Sequence, residues 1–175
     1  MDNVDSVLEQ IKRRRAHTVG DGNCLFNAVS QELQRLGVDL SSFDLRRRVA
    51  ECARNHRKTL TRFKAVWDRD GLIGEDEYDE YIKQDGKWGN HFDVALISHL
   101  ISPRRIFTIN MQGWLQEHFP PRWEILQGKK RIESCDYCGT RVVTEDDLRG
   151  SVSVDDVCIG NSQNIHYWSA PPIIT

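Results

Sequence analysis

The segment Gly20-Asp21-Gly22-Asn23-Cys24-Leu25-Phe26 sets a cysteine at the seam between a turn and a helix. Asp, Gly and Asn tolerate the backbone angles of a tight turn. Leu25, Phe26, Ala28, Val29, Leu33 and Leu36 then recur at helical spacing as one apolar face. Cys24 therefore opens a helix. Unpaired N–H groups and the helix dipole at that position favour a thiolate, and can bring a cysteine pKa from about 8.5 toward neutrality. Cys52 falls among apolar residues in mid-helix and reads as an ordinary core thiol.

A thiolate nucleophile needs a group that takes and returns a proton, and histidine is the usual one. The chain has six. His17 and His118 lie in polar or loop-like contexts, His56 at a helix end beside Arg54 and Arg57, and His91 and His99 in the helix that follows Trp88. His166 differs, because its apolar, strand-like segment would hold an imidazole rigidly. A strand histidine is more often structural, so on these grounds alone the pairing stays open.

The elements that must position these groups come helices first. Leu8 to Arg15 reads as a short basic helix. A second pattern runs from about Asp44 to His56, with Leu45, Val49, Cys52 and Ala53 on one face and Ser42 or Asp44 as cap. Phe63, Val66 and Trp67 suggest a further short helix. Glu75 to Ile82 starts another with an acidic first turn, and Phe92, Ala95, Leu96 and His99 or Leu100 mark the one that Pro103 ends. Strand-like runs follow: Arg105 to Asn110, Trp123 to Leu126, Arg141 to Val143, Val157 to Ile159 and Ile165 to Trp168. Helices followed by strands point to an α+β fold in one domain.

With 175 residues the chain suits one domain with a sizeable core. Its 24 basic and 26 acidic residues nearly balance, which gives no whole-protein argument for nucleic acid or membrane binding. No apolar run approaches the roughly 20 residues that span a bilayer, and the polar start Met1-Asp2-Asn3 does not read as a secretory signal. Five scattered cysteines argue against a disulfide scaffold and for a reducing, cytosolic-type environment, in a cell or from a virus.

Asp21-Gly22-Asn23-Cys24-Leu25-Phe26 resembles the nucleophile motif of the ovarian-tumour (OTU) family of cysteine proteases. Trp88-Gly89-Asn90-His91-Phe92-Asp93-Val94 is similar to the family's second block, and Ile165-His166-Tyr167 to its third. The blocks occur in family order and span roughly Arg15 to Ala170, so the resemblance implies one catalytic domain over residues 1–175 with a core of about 15–170. It also implies a papain-like α+β fold, a small central β-sheet packed between helices, and deubiquitinase activity without a cofactor. Cys24 would attack the carbonyl joining a ubiquitin C-terminus to a lysine amine. His166 would take the Cys24 proton and give it to the departing amine, and water would resolve the thioester.

The resemblance counts Asp21 with the catalytic residues; its other reading is a turn-former whose carboxylate caps local amides. Gly22 and Asn23 belong to the turn expected to offer N–H groups to the oxyanion, together with Cys24. Trp88, Gly89 and Tyr167 are expected along the channel for the ubiquitin tail. For Trp88 a place in the core weighs equally. Many family members carry Asn or Asp two positions after the histidine, where this chain has Trp168. Asn164 is the candidate that orients His166 instead, with Asp21, a backbone carbonyl or more distantly Asp155 and Asp156 as alternatives. Asn90 stands where the family often has a second glycine. The partner implied is ubiquitin, a polyubiquitin chain or a ubiquitin-like modifier, met by a monomer in the cytosol of a cell or host cell, or in the nucleus. A competing reading is a catalytically weak ubiquitin-binding module on the same fold.

Other signals weigh less. Cys135-Asp136-Tyr137-Cys138 has the spacing of half a zinc site but lacks a second close pair, so no metal is expected. Lys12 to Arg15 and Arg46 to Arg48 read as solvated helix faces. The acidic run Glu75 to Glu80 reads as a solvated helix start, with steering of ubiquitin's basic tail as the sharper alternative.

Overall fold

The computed structural model describes residues 3–62, 64, 68, 74–89, 91–127, 139–162 and 166–173. The helices are α1 (Asn3–Ile11), α2 (Cys24–Arg35), α3 (Ser42–Asn55), α4 (Arg57–Arg62), α5 (Tyr78–Ile82), α6 (His91–Ile101) and α7 (Trp123–Gln127). The strands are β1 (Ile106–Ile109), β2 (Leu115–His118), β3 (Thr140–Val143), β4 (Val157–Ser162) and β5 (His166–Ser169). They form one mixed sheet in the order β3-β2-β1-β4-β5, in which β1 and β4 run parallel and the other pairs antiparallel. The expected α+β architecture, a small sheet between helices, is what the chain adopts.

Strand alternation divides the core between the two faces of the sheet. Ile106, Val157, Ile159 and Tyr167 point into a cluster with Leu25, Phe26 and Val29 of α2, Leu45 and Val49 of α3 and Leu96 and Ile97 of α6. Phe107, Ile109, Cys158 and Trp168 point the other way, onto Val4, Val7, Leu8 and Ile11 of α1. Helix α2 thus lies against β4 and β5, with its first residue beside β5.

Several local expectations give way. The basic helix Leu8–Arg15 is instead Asn3–Ile11: Lys12 takes φ +59° and ends it. Arg13 then continues in extended chain, bridged to Pro172, as Ala16 is to Ser169. Ser41, not Ser42 or Asp44, caps α3, its hydroxyl accepting the Asp44 N–H at 3.1 Å. Trp123 to Leu126 is helical, with Trp123 stacked on His56 at 3.8 Å between ring centroids. His118 is buried in β2, paired with Thr108 at 2.7 Å. The expected helix over Phe63, Val66 and Trp67 lies outside the described residues.

The basic runs are not simply solvated. Arg13 is buried and its guanidinium meets Glu32 of α2 at 2.8 Å and the Ala170 carbonyl at 2.9 Å. Glu32 also accepts from Arg35 and from the Cys158 N–H, so one carboxylate ties α2 to β4 and to the segment after β5. Arg46 is buried too, at 2 % exposure. The acidic α5 is likewise partly neutralised: Asp79 is buried against Arg57, and Glu80 pairs with Arg57 and Lys83.

Candidate active site

Cys24 is the first residue of α2 and is 1 % exposed. Its turn is made as the sequence suggests: the Asp21 carboxylate accepts the Asn23 N–H at 2.9 Å, and the Asp21 carbonyl accepts the Cys24 N–H at 3.2 Å. These bonds match the turn-forming reading of Asp21. In this resting arrangement the Asn23 and Cys24 amides are engaged within the turn.

The partner strand arrives from the far end of the chain. The Tyr167 N–H donates to Cys24 Sγ at 3.3 Å. Main-chain groups two residues apart share one strand edge, and the Ser169 carbonyl on that edge accepts the Ala16 N–H. Cys24 and the 16–20 segment therefore occupy the edge of β5 that β4 leaves free. His166, one residue before Tyr167, begins that strand opposite Ser162. Its imidazole stands against Gly20: a β-carbon there would lie 3.3 Å from Nδ1 and 3.4 Å from Cε1. The nucleophile turn and the histidine ring are thus packed on one another.

Burial pushes the Cys24 thiol up from its ordinary value. The N–H groups of Tyr167 and Leu25 pull against this, while the Asp21 carboxylate adds to the rise. Burial thus opposes the thiolate that the helix start favours. Desolvation is the largest of these influences, so a thiolate there calls for a proton acceptor nearby.

Trp168, two residues along β5, shares the face of His166 and lies opposite the Tyr167 ring. Its ring lies across Gly160, its Nε1–H donates to Ser162 Oγ at 3.0 Å, and the Arg15 guanidinium sits 5.1 Å from the ring centroid. It stands in core packing, not in a polar role. Asn164 lies outside the described residues, as do Asn90, Cys135 and Cys138. Asp156 is committed to Arg105, at 2.7 Å. Among the described residues no group of three or more His, Cys, Asp or Glu side chains is placed to hold a metal ion.

The residues expected along the channel lie against the α2 core. Trp88 is half-buried against the α2 cluster, and Tyr81 donates to its carbonyl at 3.4 Å. A β-carbon on Gly89 would come 2.5 Å from Leu25 Cδ2, so any side chain there would make Leu25, the residue after Cys24, shift. The Tyr167 ring is buried, and this residue meets the site through its amide.

One residue that sequence reasoning passed over completes the surroundings. Arg46 of α3 donates to the Gly22 carbonyl at 3.1 Å, to Asn23 Oδ1 at 2.8 Å, to the Ile82 carbonyl at 2.9 Å and to the Lys87 carbonyl at 2.7 Å. Its neighbours Arg47 and Arg48 are exposed, and the spacing Leu45-Arg46-Val49 placed it on the apolar stripe.

Residues 19–121, more than half of the chain, match the OTU-like cysteine protease family. "Putative ubiquitin thioesterase L96" of Tipula iridescent virus is 32 % identical over 111 residues, covering 57 % of this chain and 13 % of that protein. Deubiquitinase OTUD6B of Xenopus tropicalis is 25 % identical over 84 residues, covering 46 % of this chain and 29 % of that one. The matched stretches make up less than a third of either curated relative. An OTU deubiquitinase from Wolbachia pipientis wMel superposes with a TM-score of 0.62 at 17 % identity, covering 92 % of this chain and 89 % of that one. Its ubiquitin-bound form gives 0.59 at 15 % identity, covering 92 % and 96 %. At such identities the likeness is one of fold. With the Cys24 turn set on the free edge of the strand that begins at His166, and residues 19–121 matched, this chain belongs to the OTU-like cysteine protease family.

Proposed function

We propose that this chain is a deubiquitinase, a cysteine isopeptidase that releases ubiquitin or a ubiquitin-like modifier from lysine. The observation that carries the reading is the bond from the Tyr167 N–H to Cys24 Sγ, which sets the strand that begins with His166 against the sulfur. His166 takes the Cys24 proton as the sulfur attacks the carbonyl. The tetrahedral oxyanion is met by amides of the turn: Cys24 N–H, whose bond to the Asp21 carbonyl is long at 3.2 Å, and Gly22 N–H. Collapse expels the lysine amine, protonated by His166. Water, deprotonated by the same ring, then opens the thioester. Asp21 holds the turn. Asn164, two positions before His166, orients the ring, and Asn164→Ala is expected to lower turnover clearly; an unchanged rate removes it from the site.

The relatives support the substrate class: the Wolbachia enzyme is one whose ubiquitin complex shares this fold. No helix of the described residues is long and apolar enough to cross a membrane, and Cys24, Cys52 and Cys158 are free thiols, which agrees with action by a single domain in a reducing cytosol. The competing reading, a ubiquitin-binding module of low activity, draws on the burial that raises the Cys24 thiol. Ubiquitin with an electrophilic C-terminus separates the two. The enzyme forms a covalent adduct that Cys24→Ala loses; binding without reaction favours the module.

A further inference from the structure

Arg46 is buried, is used by none of the steps above, and stands between the two loops that meet at the nucleophile. Four of its acceptors are the Gly22 carbonyl and Asn23 Oδ1 in the turn, and the Ile82 and Lys87 carbonyls at the two ends of the segment leading to Trp88 and Gly89. From below, the Phe26 ring of α2 faces the guanidinium with 4.4 Å between the Cζ and the centroid. Asn23 carries the link further. Its Oδ1 accepts the Gly86 N–H at 3.0 Å, and its Nδ2 donates to Asp85 at 3.1 Å. The two loops lie so close that a β-carbon on Gly22 would overlap the Gly86 carbonyl oxygen, at 1.6 Å.

A buried guanidinium is costly unless its N–H groups are bonded. Here it gathers carbonyl oxygens of separate segments, a task that a planar fork of donors performs and a single ammonium does not. Burial pulls the Arg46 guanidinium down from its ordinary value, while Asp93 and Asp85 support its charge.

We propose that Arg46 is the positioning residue of the catalytic turn. It fixes the Gly22-Asn23 backbone that presents the Cys24 amide and sulfur, and it couples that turn to the Ile82–Lys87 segment, so that nucleophile and groove wall hold one geometry. The role rests on Cys24 being the nucleophile of the proposed isopeptidase.

The test compares the full chain with Arg46→Lys, which keeps the charge and loses the fork. The Cys24 alkylation rate with iodoacetamide is followed against pH by peptide mapping, beside kcat and KM on ubiquitin carrying a fluorogenic C-terminal amide. Arg46→Lys is expected to lower kcat about tenfold or more with KM changed less than about twofold. Its alkylation midpoint is expected to move to higher pH, because the amides that favour the thiolate lose their alignment. A variant that folds and matches wild type in kcat and in alkylation profile overturns the proposal. If Arg46→Lys does not fold, Asn23→Ala carries the test, since it removes the oxygen shared by Arg46 and Gly86. It is expected to show the same upward midpoint and a fall in kcat of about fivefold, and unchanged values overturn the role. Wild type that never turns over ubiquitin defeats the substrate reading alone, because the alkylation comparison still judges Arg46.

Discussion

Trp168 lies across Gly160, its partner in the β4–β5 register, so closely that a β-carbon on the glycine would fall 1.9 Å from Cζ2. The indole covers the sheet on the α1 side and is anchored by Ser162. Trp168→Phe should therefore cost about 1 kcal/mol in urea unfolding, the worth of the lost Nε1–H bond. Turnover per folded molecule should stay within about threefold of wild type, in contrast to the large losses seen when a catalytic group is removed. A collapse of turnover in a folded variant would show that the ring positions His166.

Gly22 is held against the Gly86 carbonyl by the turn geometry. Gly22→Ala should force the two loops apart, lowering turnover by about a hundredfold through displaced reacting groups and stability by about 1–3 kcal/mol through overpacking. Steady-state kinetics and thermal melts measure both, and a near-wild-type rate would show that the turn yields without consequence.

Glu32 joins Arg13, Arg35 and the Cys158 amide at one buried point. Glu32→Gln leaves Arg13 buried beside a neutral group and should remove about 3 kcal/mol of stability, as broken buried pairs do. The midpoint in urea should fall while the residual folded fraction keeps its specific activity.

Asp79 contributes to stability in a pH-dependent way. Burial pushes its carboxyl up, but the bond and charge of Arg57, with Arg54 beyond, outweigh this and hold it below the ordinary carboxylate range. A folded-state value below the unfolded one, about 3.9, means its stabilising contribution is complete above that pH and is lost as pH falls through the folded value. Asp79→Asn should lower stability at pH 7 and flatten its decline below about pH 4, as read by unfolding at a series of pH values.

Cys24 has the opposite sign. Burial raises its thiol, so alkylation of the resting chain should keep rising past about pH 8.5. A rate already flat between pH 6 and 8 would instead reveal a standing thiolate–imidazolium pair with His166.

How far the sequence could be read follows the kind of force involved. Helix α2 was legible because Leu25, Val29 and Leu33 mark one face, and the turn before it announced itself through Asp21, Gly22 and Asn23. His166 was legible as a strand residue, but proposing it as the partner of Cys24 needed the family resemblance, since nothing local joins two ends of a chain. Trp123 to Leu126 was misread because a run of so few apolar residues shows no period that separates helix from strand. Strand β2 was passed over because Gln116 and Glu117 break the apolar alternation. Arg13 and Arg46 were taken for solvent-facing charges. Their burial is decided by carbonyls and a carboxylate contributed from distant segments, which no local pattern reports.

The bond between Tyr167 and Cys24 also has a consequence in time. During synthesis the thiol leaves the ribosome long before the strand that begins with His166. The sheet cannot close on Cys24 until β5 has followed β4 out of the exit tunnel. A half-made chain thus carries Cys24 without the Tyr167 amide that meets its sulfur, and on the proposed mechanism cleavage waits for β5.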